Sequence, residues 1–188
     1  MTAYALVFFT DLSVGNTFVD ANLLTALQNY LLSRKNNRGG YTQTTNSIPI
    51  PQITHDAWIV YALTYFSQTV NVTVEVTNLK SAADNQISAG RVDSHFVALL
   101  ANSLYRLKRT AEAQVYADAL VKVQNGDGSL ANYNYAATTF NGANGTELGI
   151  QTTAIAVAVW NNNVARYTSS ITNATSYLYR RVKGGMIG

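Results

Sequence analysis

The chain of 188 residues contains no cysteine. Disulfides, thiol nucleophiles and thiolate metal ligands are thereby excluded. There are two prolines, Pro49 and Pro51, and both fall in one loop. Charge is scarce: 12% of residues are charged against 47% apolar, so helix surfaces have to be built from Asn, Gln, Ser and Thr. The net charge of +3 is mild. The basic residues form three small clusters: Arg34, Lys35 and Arg38; Arg106, Lys108 and Arg109; Arg180, Arg181 and Lys183. Each sits at an expected helix C-terminus, where the macrodipole favours cations, so no nucleic-acid partner is expected. No apolar run approaches the roughly 20 residues of a membrane span. Ala3 to Phe9 is apolar but lacks a basic leader and a cleavage site, so it does not read as a signal peptide. N-x-S/T triplets start at Asn71, Asn144 and Asn173, a number that a chain rich in Asn, Ser and Thr carries by chance.

What is present is a set of unusually apolar helical stretches. Ala154 to Trp160, at the end of the stretch Glu147 to Trp160, is apolar over the full circumference of a helix. A helix without a polar face has to be surrounded by others. Thr54 to Phe66 and Asp93 to Leu107 read alike. These three are the expected inner helices, with Trp58 and Trp160 mostly buried within them.

Amphipathic helices alternate with the inner ones. Thr2 to Asp11 reads as the end of a helix. Asp20 is placed to cap the next, which carries Leu23, Leu24, Leu27, Tyr30 and Leu31 on one face and stops at Asn36-Asn37-Arg38-Gly39-Gly40. Thr54 and Asp93 are the expected caps of two inner helices. A second amphipathic helix spans about Val72 to Gln86 and ends before Gly90. Thr110 is the expected cap of a third, in which Asp118 stands four residues before Lys122, a favourable pair. Ser129 to Thr146 has no period and reads as the one long loop. A last amphipathic helix is expected from about Ser169 to Val182. Three amphipathic helices end in glycine turns: Gly39-Gly40, Gly126-Asp127-Gly128 and Gly184-Gly185. This is a repeat of helix pairs. Such repeats form a solenoid or close into a ring, and nearly apolar inner helices favour the ring. The expected fold is therefore an all-α, α/α toroid of helix hairpins.

The order Leu31-Leu32-Ser33-Arg34, Gly39-Gly40-Tyr41, Asp56-Ala57-Trp58-Ile59-Val60-Tyr61-Ala62-Leu63, Gln124-x-x-Asp127-Gly128-Ser129, Gln151-Thr152-Thr153-Ala154 and Gly184-Gly185-Met186-Ile187-Gly188 resembles the thioester-containing domain of the α2-macroglobulin and complement C3/C4 family. The likeness is collinear and covers nearly the whole chain. It implies a single partial domain over residues 1–188, about four of six hairpins of the toroid. It also implies a secreted parent protein that traps proteases or tags surfaces covalently, with the rest of that parent and the proteases as partners. In the family, a Cys-Gly-Glu-Gln motif forms the internal thioester. That motif is absent here, and so is any other cysteine. The family also continues past the final Gly-Gly turn with a further hairpin. The chain is thus expected to carry no acyl-transfer chemistry of its own, to be no enzyme, and to hold no catalytic residue, cofactor or metal. Some members have an acyl-transferring His in the loop that corresponds to Thr42 to Ile53. No His occurs there. His55 follows the loop and reads as a helix-start residue beside Asp56, and His95 reads as structural.

Other functions use the same architecture. Terpene cyclases need clustered Asp residues, and no DDxxD or DxDD run occurs. Toroidal glycosidases need two carboxylates about 5–10 Å apart, for which Asp56, Asp93 and Asp127 are candidates by position. Asp56 and Asp93 read more simply as helix-start residues, and Asp127 as a turn residue. A non-catalytic helical-repeat binding module would use an exposed aromatic groove, hinted at by Tyr133, Tyr135 and Phe140.

Overall fold

The computed structural model describes residues 2–14, 19–36, 38–43, 50–130 and 143–183. Among them the chain is all-α, without a strand; a single antiparallel bridge joins Lys35 to Tyr41. The helices are α1 (Thr2–Ser13), α2 (Ala21–Ser33), α3 (Gln52–Phe66), α4 (Thr73–Ser88), α5 (Ser94–Arg106), α6 (Thr110–Lys122), α7 (Gly145–Trp160) and α8 (Val164–Lys183). A 3-10 turn, Asn161–Asn163, joins the last two. No described helix is long and apolar enough to cross a membrane.

The odd-numbered helices form one row in which α1 packs on α3, α3 on α5 and α5 on α7. The even-numbered helices cover that row: α2 lies on α1 and α3, α4 on α3 and α5, α6 on α5 and α7, and α8 on α7. Every residue of α5 from Ser94 to Tyr105 is buried, its polar His95 and Asn102 included, because each finds a hydrogen-bond partner on α7. Two aspartates start helices as their spacing suggests. Asp20 accepts from the Asn22 N–H, and Asp93 accepts from the N–H groups of His95 and Phe96.

The glycine turns repeat in atomic detail. After α2, the Asn36 N–H donates to the Gly40 carbonyl at 2.9 Å, and after α6 the Asn125 N–H donates to the Ser129 carbonyl at 2.9 Å. The residue that follows each turn is tied to the next odd-numbered helix. The Tyr41 N–H donates to Asp56 Oδ1 of α3, and the Leu130 N–H donates to Thr153 Oγ1 of α7. Each turn also docks on the next even-numbered helix. Asn78 of α4 donates to the carbonyls of Arg38 and Gly39, while Gln124 donates to the Ser170 carbonyl of α8. One structural unit is therefore used twice, two hairpins apart. The Gly184-Gly185 turn lies outside the described residues.

Several local expectations are corrected. Thr54 does not cap α3. The helix begins two residues earlier, after Pro51, whose carbonyl accepts from the N–H groups of Thr54 and His55. Thr54 is buried in the first turn, and its hydroxyl has no hydrogen-bond partner among the described residues. Thr110 is the first residue of α6 rather than its cap; Arg109 precedes it and clasps Glu112 with two bonds of 2.6 and 2.8 Å. Asp118 feels Lys122 as a nearby favourable charge, but its hydrogen bonds go elsewhere. It accepts two bonds from Arg166 at 3.1 and 2.6 Å and one from the Tyr167 hydroxyl, because a bidentate guanidinium from α8 outcompetes a flexible ammonium on the same helix. α8 begins at Val164, five residues before its expected start, and kinks at Tyr167.

The largest correction concerns α7. Trp160 is fully buried and its indole donates to the Ala117 carbonyl. Yet α7 is not enclosed: Ala154 and Ala158 are exposed, and Ile155 and Val157 are half-buried. The same holds at the other end of the row. On α1, Tyr4, Phe8 and Leu12 are 48%, 47% and 40% exposed, one stripe at four-residue spacing. Trp58, expected inside, is half-buried.

Candidate functional site

The odd-numbered helices present their N-terminal ends to one side, and most of the chain's uncommon polar side chains meet there. At the start of α3, Asp56 is buried and fixed: its Oδ1 accepts from the Tyr41 N–H at 2.9 Å and from Gln52 Nε2 at 2.7 Å. His55 Nδ1 lies 3.3 Å from the same oxygen. Asp56 thus joins the glycine turn to α3.

One turn further, the Trp58 indole N–H donates to His95 Nε2 of α5 at 3.1 Å. An indole N–H only donates, so Nε2 is the acceptor and the ring proton sits on Nδ1. Nδ1 in turn donates to Thr152 Oγ1 of α7 at 3.0 Å. Three consecutive odd-numbered helices are therefore bridged by one neutral imidazole. His95 is 2% exposed, and burial pushes its pKa down to about 4. Two residues before it, burial pushes Asp93 up to about 6 against the two backbone N–H bonds that favour its carboxylate. The Asp93 N–H is itself held by Gln86 Oε1.

These two groups oppose each other in pH dependence. His95, with its folded pKa below the ordinary 6.5, costs stability as pH falls from about 6.5 to 4, because the unfolded chain takes the proton first. Asp93, with its folded pKa above the ordinary 3.8, adds stability over the fall from about 6 to 4. His95→Gln removes only the first effect. Its deficit against the unmodified protein should therefore shrink on acidification by about 2–3 kcal/mol between pH 7 and 4.5, at about 1.4 kcal/mol per pKa unit. Urea midpoints at the two pH values measure this, and the other carboxylates cancel in the comparison. A constant deficit would mean that His95 is not buried as a neutral ring.

The third carboxylate, Asp127, sits in the turn after α6 and accepts from both the N–H and the hydroxyl of Ser129. Asp56, Asp93 and Asp127 thus each serve a separate local purpose: a turn tie, a helix cap and a turn. Among the described residues no three His, Asp or Glu side chains come together as a metal-ligand set. Tyr133, Tyr135 and Phe140 lie outside the described residues. Of the basic clusters, Lys35 pairs with Glu75 at 3.1 Å, Arg106 lies 3.8 Å over the Tyr65 ring, and Arg180 donates to the Asp127 carbonyl.

Beside this row lies a cleft of about 130 Å³ between the first turn of α1, the end of α2 and the first two turns of α3. Tyr4, Tyr30, Arg34, His55, Trp58 and Ile59 are among its walls. Sequence spacing offers no signal for it, since its walls come from three successive helices and share no common period. Comparison of the chain with protein-family models, with curated protein sequences and with solved structures found no match in any of the three.

Proposed function

We propose that this chain is part of an α/α toroid of the thioester-domain type, and that its parent is a secreted macroglobulin- or complement-like protein. The observation that carries the proposal is the two-layered row of hairpins whose end helices, α1 and α7, keep apolar faces open. A toroid would cover both faces with further hairpins of the same kind. The collinear resemblance agrees with that reading.

On this reading the chain alone has no acyl-transfer activity, because a thioester needs a thiol and none is present. Ser and Thr would form an ordinary ester, whose acyl carbon is not activated. The parent forms a covalent adduct after proteolysis. Without a His in the Thr42–Ile53 loop, transfer favours amines, which attack without a general base. Labelled methylamine and labelled glycerol, offered to this chain and to the full-length parent, test both halves. The expected result is no label on the chain and preferential methylamine uptake by the parent. Label on the chain, no label on the parent, or equal uptake of glycerol would contradict it.

A second reading, a non-catalytic helical-repeat binding module, is favoured by the cleft beside Trp58. It predicts ligand capture without a covalent adduct.

A further inference from the structure

The cleft between α1, α2 and α3 combines features that no fold requires. Its walls are mainly apolar and aromatic, from Tyr4, Tyr30, Trp58 and Ile59. Arg34 lies in the same wall, half-buried. Among the described residues its guanidinium has one hydrogen bond, a long one of 3.4 Å from Nη2 to the Thr42 carbonyl, and no carboxylate pairs with it. In this it differs from Lys35, Lys80, Arg109 and Arg166, each of which has an acidic partner.

A planar guanidinium in a half-buried setting is matched by a carboxylate, which accepts two parallel N–H bonds. The size of the cleft sets the rest of the ligand. An apolar cavity of about 150 Å³ takes benzene, so a cleft of about 130 Å³ that opens to solvent takes one ring, with its polar group at Arg34. We infer that this cleft is a binding site for a small aromatic carboxylate, with Arg34 holding the carboxylate and Trp58, Tyr4 and Tyr30 enclosing the ring. The inference rests on neither functional reading above.

Benzoate is the test ligand for the full chain, with benzamide as its neutral isostere and acetate as the carboxylate without a ring. Titration is followed by calorimetry and by the indole N–H resonance of Trp58. Benzoate is expected to bind saturably, to shift the Trp58 signal, and to bind at least about tenfold more tightly than either benzamide or acetate. Arg34→Gln should weaken benzoate about tenfold and leave benzamide unchanged. Arg34→Lys, which keeps the charge and loses the fork, should fall between. Because the side chain of Arg34 makes one long bond among the described residues, and its backbone bonds do not depend on the side chain, these variants should keep the circular dichroism spectrum of the unmodified chain. Absence of saturable benzoate binding, equal affinity for benzoate and benzamide or acetate, or an Arg34→Gln variant that binds benzoate as before would each overturn the assignment.

Discussion

Gly128→Ala should destabilise the protein by about 3 kcal/mol or more, while Gly90→Ala should cost only about 1 kcal/mol. Both glycines have positive φ, +91° and +65°, a region in which a Cβ is strained wherever it occurs. They differ in the space around them. A Cβ at Gly90 would meet nothing within 4 Å. A Cβ at Gly128 would stand 2.1 Å from the backbone carbonyl oxygen of Asn173 and 2.5 Å from its carbon. Backbone in the middle of α8 cannot swing aside as a side chain can. The turn would have to lift from the helix, stretching the Gln124 bonds to Ser170 and Gly128 and the Leu130 tie to Thr153. Urea unfolding of the two variants in parallel separates the effects. Equal losses would show that the turn after α6 does not press against α8.

The alternation of the helices was legible because its signals are local. A stretch such as Phe96 to Ala101 is an unbroken apolar run, so its burial on all sides follows from composition. Asp20 and Asp93 each precede an apolar-periodic run at the spacing of an N-cap. The glycine turns stand where φ turns positive. What was not legible depended on partners distant in sequence. Asp118 has a well-spaced lysine on its own helix, and only the fold brings Arg166 to it. Thr54 looks like a cap until Pro51, three residues before it, ends the extended segment first. The early start of α8, led in by the 3-10 turn Asn161–Asn163, likewise has no local signal. For α7, composition says that the helix is apolar but not what stands beside it; an open edge is implied only by the resemblance, at about four of six hairpins, and not by the residues of α7 themselves.

The same distinction holds at the site. His95 follows a cap and reads as structural, and it is buried; that it bridges Trp58 to Thr152 needs all three helices in place. The cleft was invisible in the sequence because Tyr4, Arg34 and Trp58 share no period, and each has an ordinary explanation on its own element: an apolar face, a helix C-terminus, an inner helix.

In isolation the chain should associate head to tail. The open stripe of α1 is large and aromatic, with Tyr4, Phe8 and Leu12; the open face of α7 is small, with Ala154 and Ala158. Both helices belong to the same row and run in the same direction. A second copy placed as the next member of that row would bring the Tyr4, Phe8 and Leu12 stripe against the small Ala154 and Ala158 face, a ridge into a groove. A few hundred Å² of apolar burial at about 25 cal/mol per Å² is worth several kcal/mol. Much of this is offset by the cost of association, so the contact should be weak and concentration-dependent. Because the two faces differ, the contact is heterologous and continues to grow rather than stopping at a symmetric dimer.

Phe8→Glu should block one face and Ala158→Glu the other. Both positions are exposed, so the monomer should keep its fold. Each variant alone should be monomeric, and an equimolar mixture should stop at one heterodimer, because each supplies the face that the other lacks. Sedimentation equilibrium measures all four samples. Open ends at α1 and α7 predict a mass that rises with concentration for the unmodified chain, monomers for the two variants and a dimer for their mixture. A monodisperse monomer at every concentration, with cooperative unfolding at high temperature, would contradict them and show that the row of hairpins is complete in itself.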